Sequence, residues 1–352
     1  MKLRWFLFLI PALAAGADRK AEVDAILAPL LAAGKLKSAS IAIREDGAAQ
    51  YFAYGDPKTD RHSVFEIGSI SKVFTGILLA EAVERKEAAL EDPVRKLLPA
   101  TGAPDPRPNE QEIRLVDLAT HTSGLPRMPN NLRPRNLANP YADYDGDKLL
   151  AWIGKNGLVR NPDSQYNYSN LGAGMLGFAL AWRADLTYEQ LLLERICGPL
   201  KLNETRIRLT PELAARLLPG HDAKGTPVAN WDLDALAGAG AIRSTAADLM
   251  RFLEANLMPA GPLAPALLLA QKPQVKTERP AGAVALGWHI KPNGVYWHNG
   301  GTGGYSSYAS FDPKRGTAVV VLLNVAGEWM NQIGVRLERL LAGEPVPAIE
   351  VR

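Results

Sequence analysis

Apolar positions recur at helical spacing over residues 21–31. Val23, Ile26, Leu27, Leu30 and Leu31 share one face, which predicts an amphipathic helix. The next segment, SASIAIREDGAAQYFAYG, alternates about Asp46-Gly47. Ile41 and Ile43 lie on one side, and Phe52 and Tyr54 point together on the return, which predicts a β-hairpin. VFTGILLAEAVERK is apolar on nearly every side, so it predicts a buried helix. From residue 90 to about 230 the chain reads as helices separated by long loops. PDPRPNE and RMPNNLRPRNLANPYADY are too rich in proline and asparagine to be regular structure. IRSTAADLMRFLEANL predicts a helix capped by Ser244 or Thr245.

The last third changes period. ALGWHI, GVYWHNG, YSSYASF and GTAVVVLLNV are short β-type runs between glycine-rich turns, the pattern of an antiparallel meander. A closing helix follows over 328–341. Strands at both ends and helices in the middle predict an α/β fold of the α+β kind. One antiparallel sheet is built from both chain ends and flanked by the terminal helices, with an all-helical region inserted. The expected boundaries are 18–86 together with 240–352 for the sheet unit and 87–239 for the helical one. A cleft between them is the natural place for a site.

Composition narrows the class. The chain has 352 residues, 47% hydrophobic and 22% charged, enough to bury a core without disulfide staples. Its net charge is +3 with basic residues dispersed, which argues against a nucleic-acid partner. The start, MKLRWFLFLIPALAAGADRK, has a basic flank, an apolar run and a small-residue site at Ala15-Gly16-Ala17. That is the layout of a signal peptide, residues 1–17, and implies a periplasmic or secreted protein. The run falls short of the ~20 residues that span a bilayer, so no stable membrane span is expected after its removal. Cys197 is the only cysteine, which excludes an intrachain disulfide and favours a small buried residue at a helix end.

Three short motifs bear on chemistry. Ser69-x-x-Lys72 precedes the buried helix, and residues three apart share a helix face. A serine needs a base to attack a carbonyl, and burial lowers a lysine far enough to serve. The helix start also offers the Ser69 N–H to a developing oxyanion. Chance alone yields about 0.5 such matches in a chain of this composition, and a serine cap reads equally well from these residues. Tyr168-Ser169-Asn170 could supply a proton-shuttling phenol, with Asn170 donating to a substrate amide and holding Lys72; a helix N-cap is the competing reading. His298-Asn299-Gly300 opens a glycine-rich stretch. There the Gly301 N–H could complete an oxyanion hole, and His298 could bind a carboxylate or assist Tyr168. A hairpin with a solvated histidine is the alternative. Lys155-Asn156-Gly157 follows a helical pattern and reads as a C-cap, and Asp143, Asp145 and Asp147 read as helix caps rather than a calcium loop. His62 and His121 lack the company of metal ligands, and His289 reads as a strand residue.

Taken in order, the three motifs resemble those of the class C β-lactamase and penicillin-binding DD-peptidase family. FEIGSISK fits the family's active-site signature, and THTSGLP, AGAIRSTAADL and GGTGGYSSY are similar to its neighbouring blocks. The resemblance spans nearly all of the chain after the leader. It implies Ser69 as acylated nucleophile, Lys72 and Tyr168 sharing proton transfer, Asn170 on the acyl amide, and the Ser69 and Gly301 N–H groups as oxyanion hole. Gly300 and His298 complete the substrate-binding strand, and neither metal nor cofactor is required. One departure stands out: the third motif of class C enzymes usually opens with lysine, and here it opens with His298. The expected substrate is thus a small molecule: a β-lactam first, a D-Ala-D-Ala peptide or small ester second. A penicillin-binding sensor that acylates without turnover is the non-enzymatic alternative.

Overall fold

The computed structural model describes residues 18–160, 165–278 and 280–351. The expected leader lies outside the described residues. The described residues form twelve strands: β1 (Ser38–Glu45), β2 (Ala48–Gly55), β3 (Phe65–Glu66), β4 (Gln111–Glu112), β5 (Val159–Arg160), β6 (Arg243–Ser244), β7 (Val275–Glu278), β8 (Ala281–Val284), β9 (His289–Ile290), β10 (Tyr296–Gly301), β11 (Ser306–Asp312) and β12 (Thr317–Leu323). Eight of them form one sheet in the order β2-β1-β12-β11-β10-β9-β8-β7, every neighbour antiparallel. The fold is therefore the expected α+β one, with both chain ends meeting at β1 and β12.

The sheet is covered on both faces, and the strand sequences show it. In β12, Val319, Val321 and Leu323 face one core, and Ala318, Val320 and Leu322 face the other. A strand buried on both sides loses polar alternation, so TAVVVLL is a continuous apolar run. One face packs on the terminal helices Lys20–Ala32 and Trp329–Leu341 through Val23, Leu27, Leu30, Ile333 and Leu337. The other packs on the interior helices, including Ser71–Glu84 and Ala246–Leu257, where Phe74 stacks on Phe252 at 4.2 Å.

Caps follow the sequence closely. Thr245 accepts from the Asp248 amide, Asp145 from the Lys148 amide, and Ser169 from the Gly172 amide. Gly157 ends the helix Gly146–Asn156 at φ +77°. Cys197 is buried, and burial pushes its thiol up to about 12. Among the described residues no single helix is long and apolar enough to cross a membrane.

Candidate active site

Ser69 sits in the tight turn Gly68–Ile70 that leads into the helix Ser71–Glu84. Two glycines let β10 lie against this turn. Gly68 has φ +50°, and a Cβ there would come within 2.6 Å of the Gly301 nitrogen. A Cβ on Gly300 would meet the Ile67 carbonyl oxygen at 2.0 Å and the Ser69 nitrogen at 2.9 Å. No side chain fits either place. Ser307 Oγ fastens the contact by donating to the Ile67 carbonyl at 2.8 Å. Ser71 is not a helix cap. Its Oγ accepts from the Ile242 amide at 3.1 Å and ties the turn to the segment before β6.

Lys72, one turn on, is 2% exposed. Its Nζ donates to Ser69 Oγ at 2.9 Å and to the Ala239 carbonyl at 2.7 Å. Burial, and then the nearby Arg127 charge, hold its pKa well below the ordinary lysine value. The expectation that Asn170 holds Lys72 is not what the structure shows. Asn170 opens the helix Asn170–Arg183 and turns its Nδ2 to the Met128 sulfur at 3.4 Å, leaving that task to Ala239.

Tyr168 precedes this helix on an extended segment pinned from two sides. The Ser169 amide donates to His121 Nδ1 at 3.2 Å, and Ser169 Oγ donates to the Pro126 carbonyl at 2.7 Å. The Tyr168 ring centroid lies 4.8 Å from Lys72 Nζ and 5.1 Å from the Arg127 guanidinium, with the His121 ring tilted on it at 4.5 Å. Burial pushes the phenol up to about 12, against a hydrogen bond with Ser69 and the Arg127 charge, both of which pull it down. The resting side chain is therefore a phenol rather than a phenolate.

His298 is fully buried in β10. Its Nδ1 lies 2.6 Å from the Asn299 carbonyl oxygen, and its Nε2 has no partner among the described residues. Burial first, then the neighbouring basic groups His289 and Lys72, keep its pKa well below the ordinary histidine value. At neutral pH it is an uncharged imidazole and cannot stand in for a lysine cation. His289 lies beside it, ring centroids 5.0 Å apart, with Nε2 2.9 Å from the Tyr166 hydroxyl. Burial lowers its pKa to about 4.

A small hollow of about 40 Å³ opens at Ser69. Its walls include Met128, Tyr141, Asn170, Trp231, Ala239 and Gly301, and among the described residues no charged side chain lines it. A larger hollow, about 820 Å³, lies behind the short helix Ala237–Gly240 and contains none of the three motifs. The chemistry, not the volume, places the site.

The structure thus brings Ser69, Lys72, Tyr168, Asn170, His298, Gly300 and Gly301 to one place. It adds Arg127, His121 and Ala239, which the motifs did not point to. Each lies in or next to a block that was legible as a block, THTSGLP or AGAIRSTAADL, but no local pattern gives those residues a task. Among the described residues no group of three or more His, Cys, Asp or Glu side chains is placed to hold a metal ion.

Fold and site together define a serine hydrolase. The chain belongs to the β-lactamase family, whose model (Beta-lactamase) matches residues 23–343. It is 28% identical to a β-lactamase of Escherichia coli (strain K12), over 86% of this chain and 88% of that protein. It is 26% identical to a β-lactamase of Pseudomonas fluorescens, over 87% of this chain and 94% of that one. It is also 29% identical to the D-alanyl-D-alanine-carboxypeptidase/endopeptidase AmpH of Escherichia coli (strain K12), over 79% and 77% respectively.

Proposed function

We propose that the chain hydrolyses the amide of β-lactams through an acyl-Ser69 intermediate. The observation that carries this reading is the buried Lys72 nitrogen 2.9 Å from Ser69 Oγ. An uncharged lysine has two N–H groups and a lone pair. One N–H stays on the Ala239 carbonyl, and for attack the Lys72–Ser69 hydrogen bond reverses, so that Oγ–H donates to the Nζ lone pair, which takes the proton as Oγ attacks. Tyr168, a phenol at rest, then passes its proton to the departing nitrogen and is reprotonated by the Lys72 ammonium. The Ser69 and Gly301 N–H groups receive the developing oxyanion, and Asn170 contacts the acyl amide. Water then attacks the acyl carbonyl and gives a proton to the Lys72–Tyr168 pair, which returns it to Ser69 Oγ as the acyl–oxygen bond breaks and the carboxylic acid leaves.

A second acyl donor, a D-Ala-D-Ala peptide or a small ester, is supported by the uncharged His298 and by the AmpH relative. Intact mass after mixing with a penicillin, followed over time, separates the readings. A transient adduct on Ser69 supports β-lactam turnover. D-alanine or nitrophenol release with no β-lactam turnover supports the second donor. A permanent adduct marks a sensor, and no adduct together with no release of D-alanine or nitrophenol overturns acyl-serine chemistry.

The same reading includes export to the periplasm or beyond, supported by the composition of residues 1–17. It also includes a division into a discontinuous sheet unit, 18–86 with 240–352, and a helical unit, 87–239. In support, all eight strands of the large sheet fall in the first unit.

A further inference from the structure

We infer that Arg127 is the cation that receives the carboxylate of an acidic substrate, a specificity role that rests on the acyl-serine reading above. His298 is fully buried and, among the described residues, the Ser69 hollow has no charged wall, so neither offers a positive charge to a ligand. Lys72 is committed to Ser69 and Ala239. Arg127 is exposed, and no acidic side chain among the described residues pairs with it. It is chained to the hollow at two points. Met128, the next residue, is a wall, and the Arg127 carbonyl accepts the amides of Asn170 and Leu171 at 3.0 and 3.2 Å.

Its guanidinium lies over the Tyr168 ring at 5.1 Å, and that ring also borders Lys72. A cation held on an aromatic face keeps its in-plane N–H groups free. The guanidinium fork matches a carboxylate with two parallel hydrogen bonds, so Arg127 is pre-positioned at the rim for that group. The substrate class is an acyl donor with a free carboxylate close to the scissile amide.

A chromogenic cephalosporin and its carboxylate methyl ester form a matched pair of probes. The wild type is expected to favour the free acid, and Arg127→Gln to lose about 10- to 100-fold in kcat/KM on it, chiefly through KM, with the ester little changed. Arg127→Lys should recover part of the preference. An intact preference in Arg127→Gln, no preference in the wild type, or equal loss on both probes overturns the inference. Intact mass keeps the two readings apart: a Ser69 adduct with an unmoved preference sinks Arg127 alone, and no adduct with either probe sinks the acyl-serine reading itself.

Discussion

Lys72 Nζ bridges Ser69 Oγ at 2.9 Å and the Ala239 carbonyl oxygen at 2.7 Å, so the serine and lysine of the proposed mechanism are held by a distant segment of the chain. The amine cannot turn away from the serine without giving up a buried hydrogen bond. The helix supplies spacing, and Ala239 supplies direction.

Ser69→Ala should abolish covalent labelling by penicillin. Lys72→Ala should keep the fold and lower the acylation rate by roughly 10²–10⁴, the usual range for a lost general base. Stopped-flow acylation with circular dichroism as a folding control reads both. A Lys72→Ala protein that acylates at the wild-type rate would remove the lysine from the mechanism.

The pH profile should be governed by Lys72. Its pKa is lowered, so the uncharged amine is the active form and kcat/KM climbs with pH as Lys72 loses its proton. No alkaline limb from Tyr168 is expected until near its value of about 12. His298 is already uncharged near neutrality, so no limb should appear at the ordinary histidine value of about 6.5. Binding of a carboxylate substrate that weakens as pH rises through that point would show His298 charged.

Gly300→Ala should damage both stability and rate. The added methyl group meets backbone at Ile67 and Ser69, neither of which is the end of a flexible side chain. Overpacking of this kind costs about 1–3 kcal/mol, and pushing β10 off the turn adds a loss of about 10²-fold in acylation if one oxyanion donor is displaced. Urea melts and acylation rates test this, with Gly301→Ala as the contrast. A Cβ on Gly301 has no neighbour closer than 4.0 Å, so its fold should be spared.

Acid should unfold the protein through its buried histidines. His121, His289 and His298 all have folded pKa values below the ordinary one. The unfolded chain therefore binds more protons, and stability is fully present above about pH 6.5 and declines as pH falls below it. For His289, a drop to about 4 amounts to roughly 3 kcal/mol at full development. Denaturant melts from pH 7.5 down to 5 should show this decline, and His289→Gln should make it shallower. An unchanged slope in that variant would mean that His289 titrates alike in the native and unfolded states.

What could be read from the sequence was local. The Asp46-Gly47 turn, the Thr245 and Asp145 caps and the apolar run of β12 are each set by residues within a turn or a strand of one another. Ser69 and Lys72 were legible for the same reason, since helical spacing alone faces them. Arg127, His121 and Ala239 were not, because their tasks come from packing between segments far apart in the chain. His121 has φ +60° and is buried under Tyr168, which nothing in its neighbours foretells. The charge of His298 escaped too. A histidine in a glycine-rich stretch looks solvated, and only the packing of β9, β10 and β11 shows it fully enclosed.

The contact between Gly68 and β10 joins an early part of the chain to a late one. A ribosome delivers Ser69 and Lys72 long before it delivers the strand that walls them in. On the proposed mechanism, the serine is an ordinary hydroxyl throughout most of synthesis and gains its reactivity only when the closing meander docks. Truncation within that meander should leave a silent protein rather than a weak one.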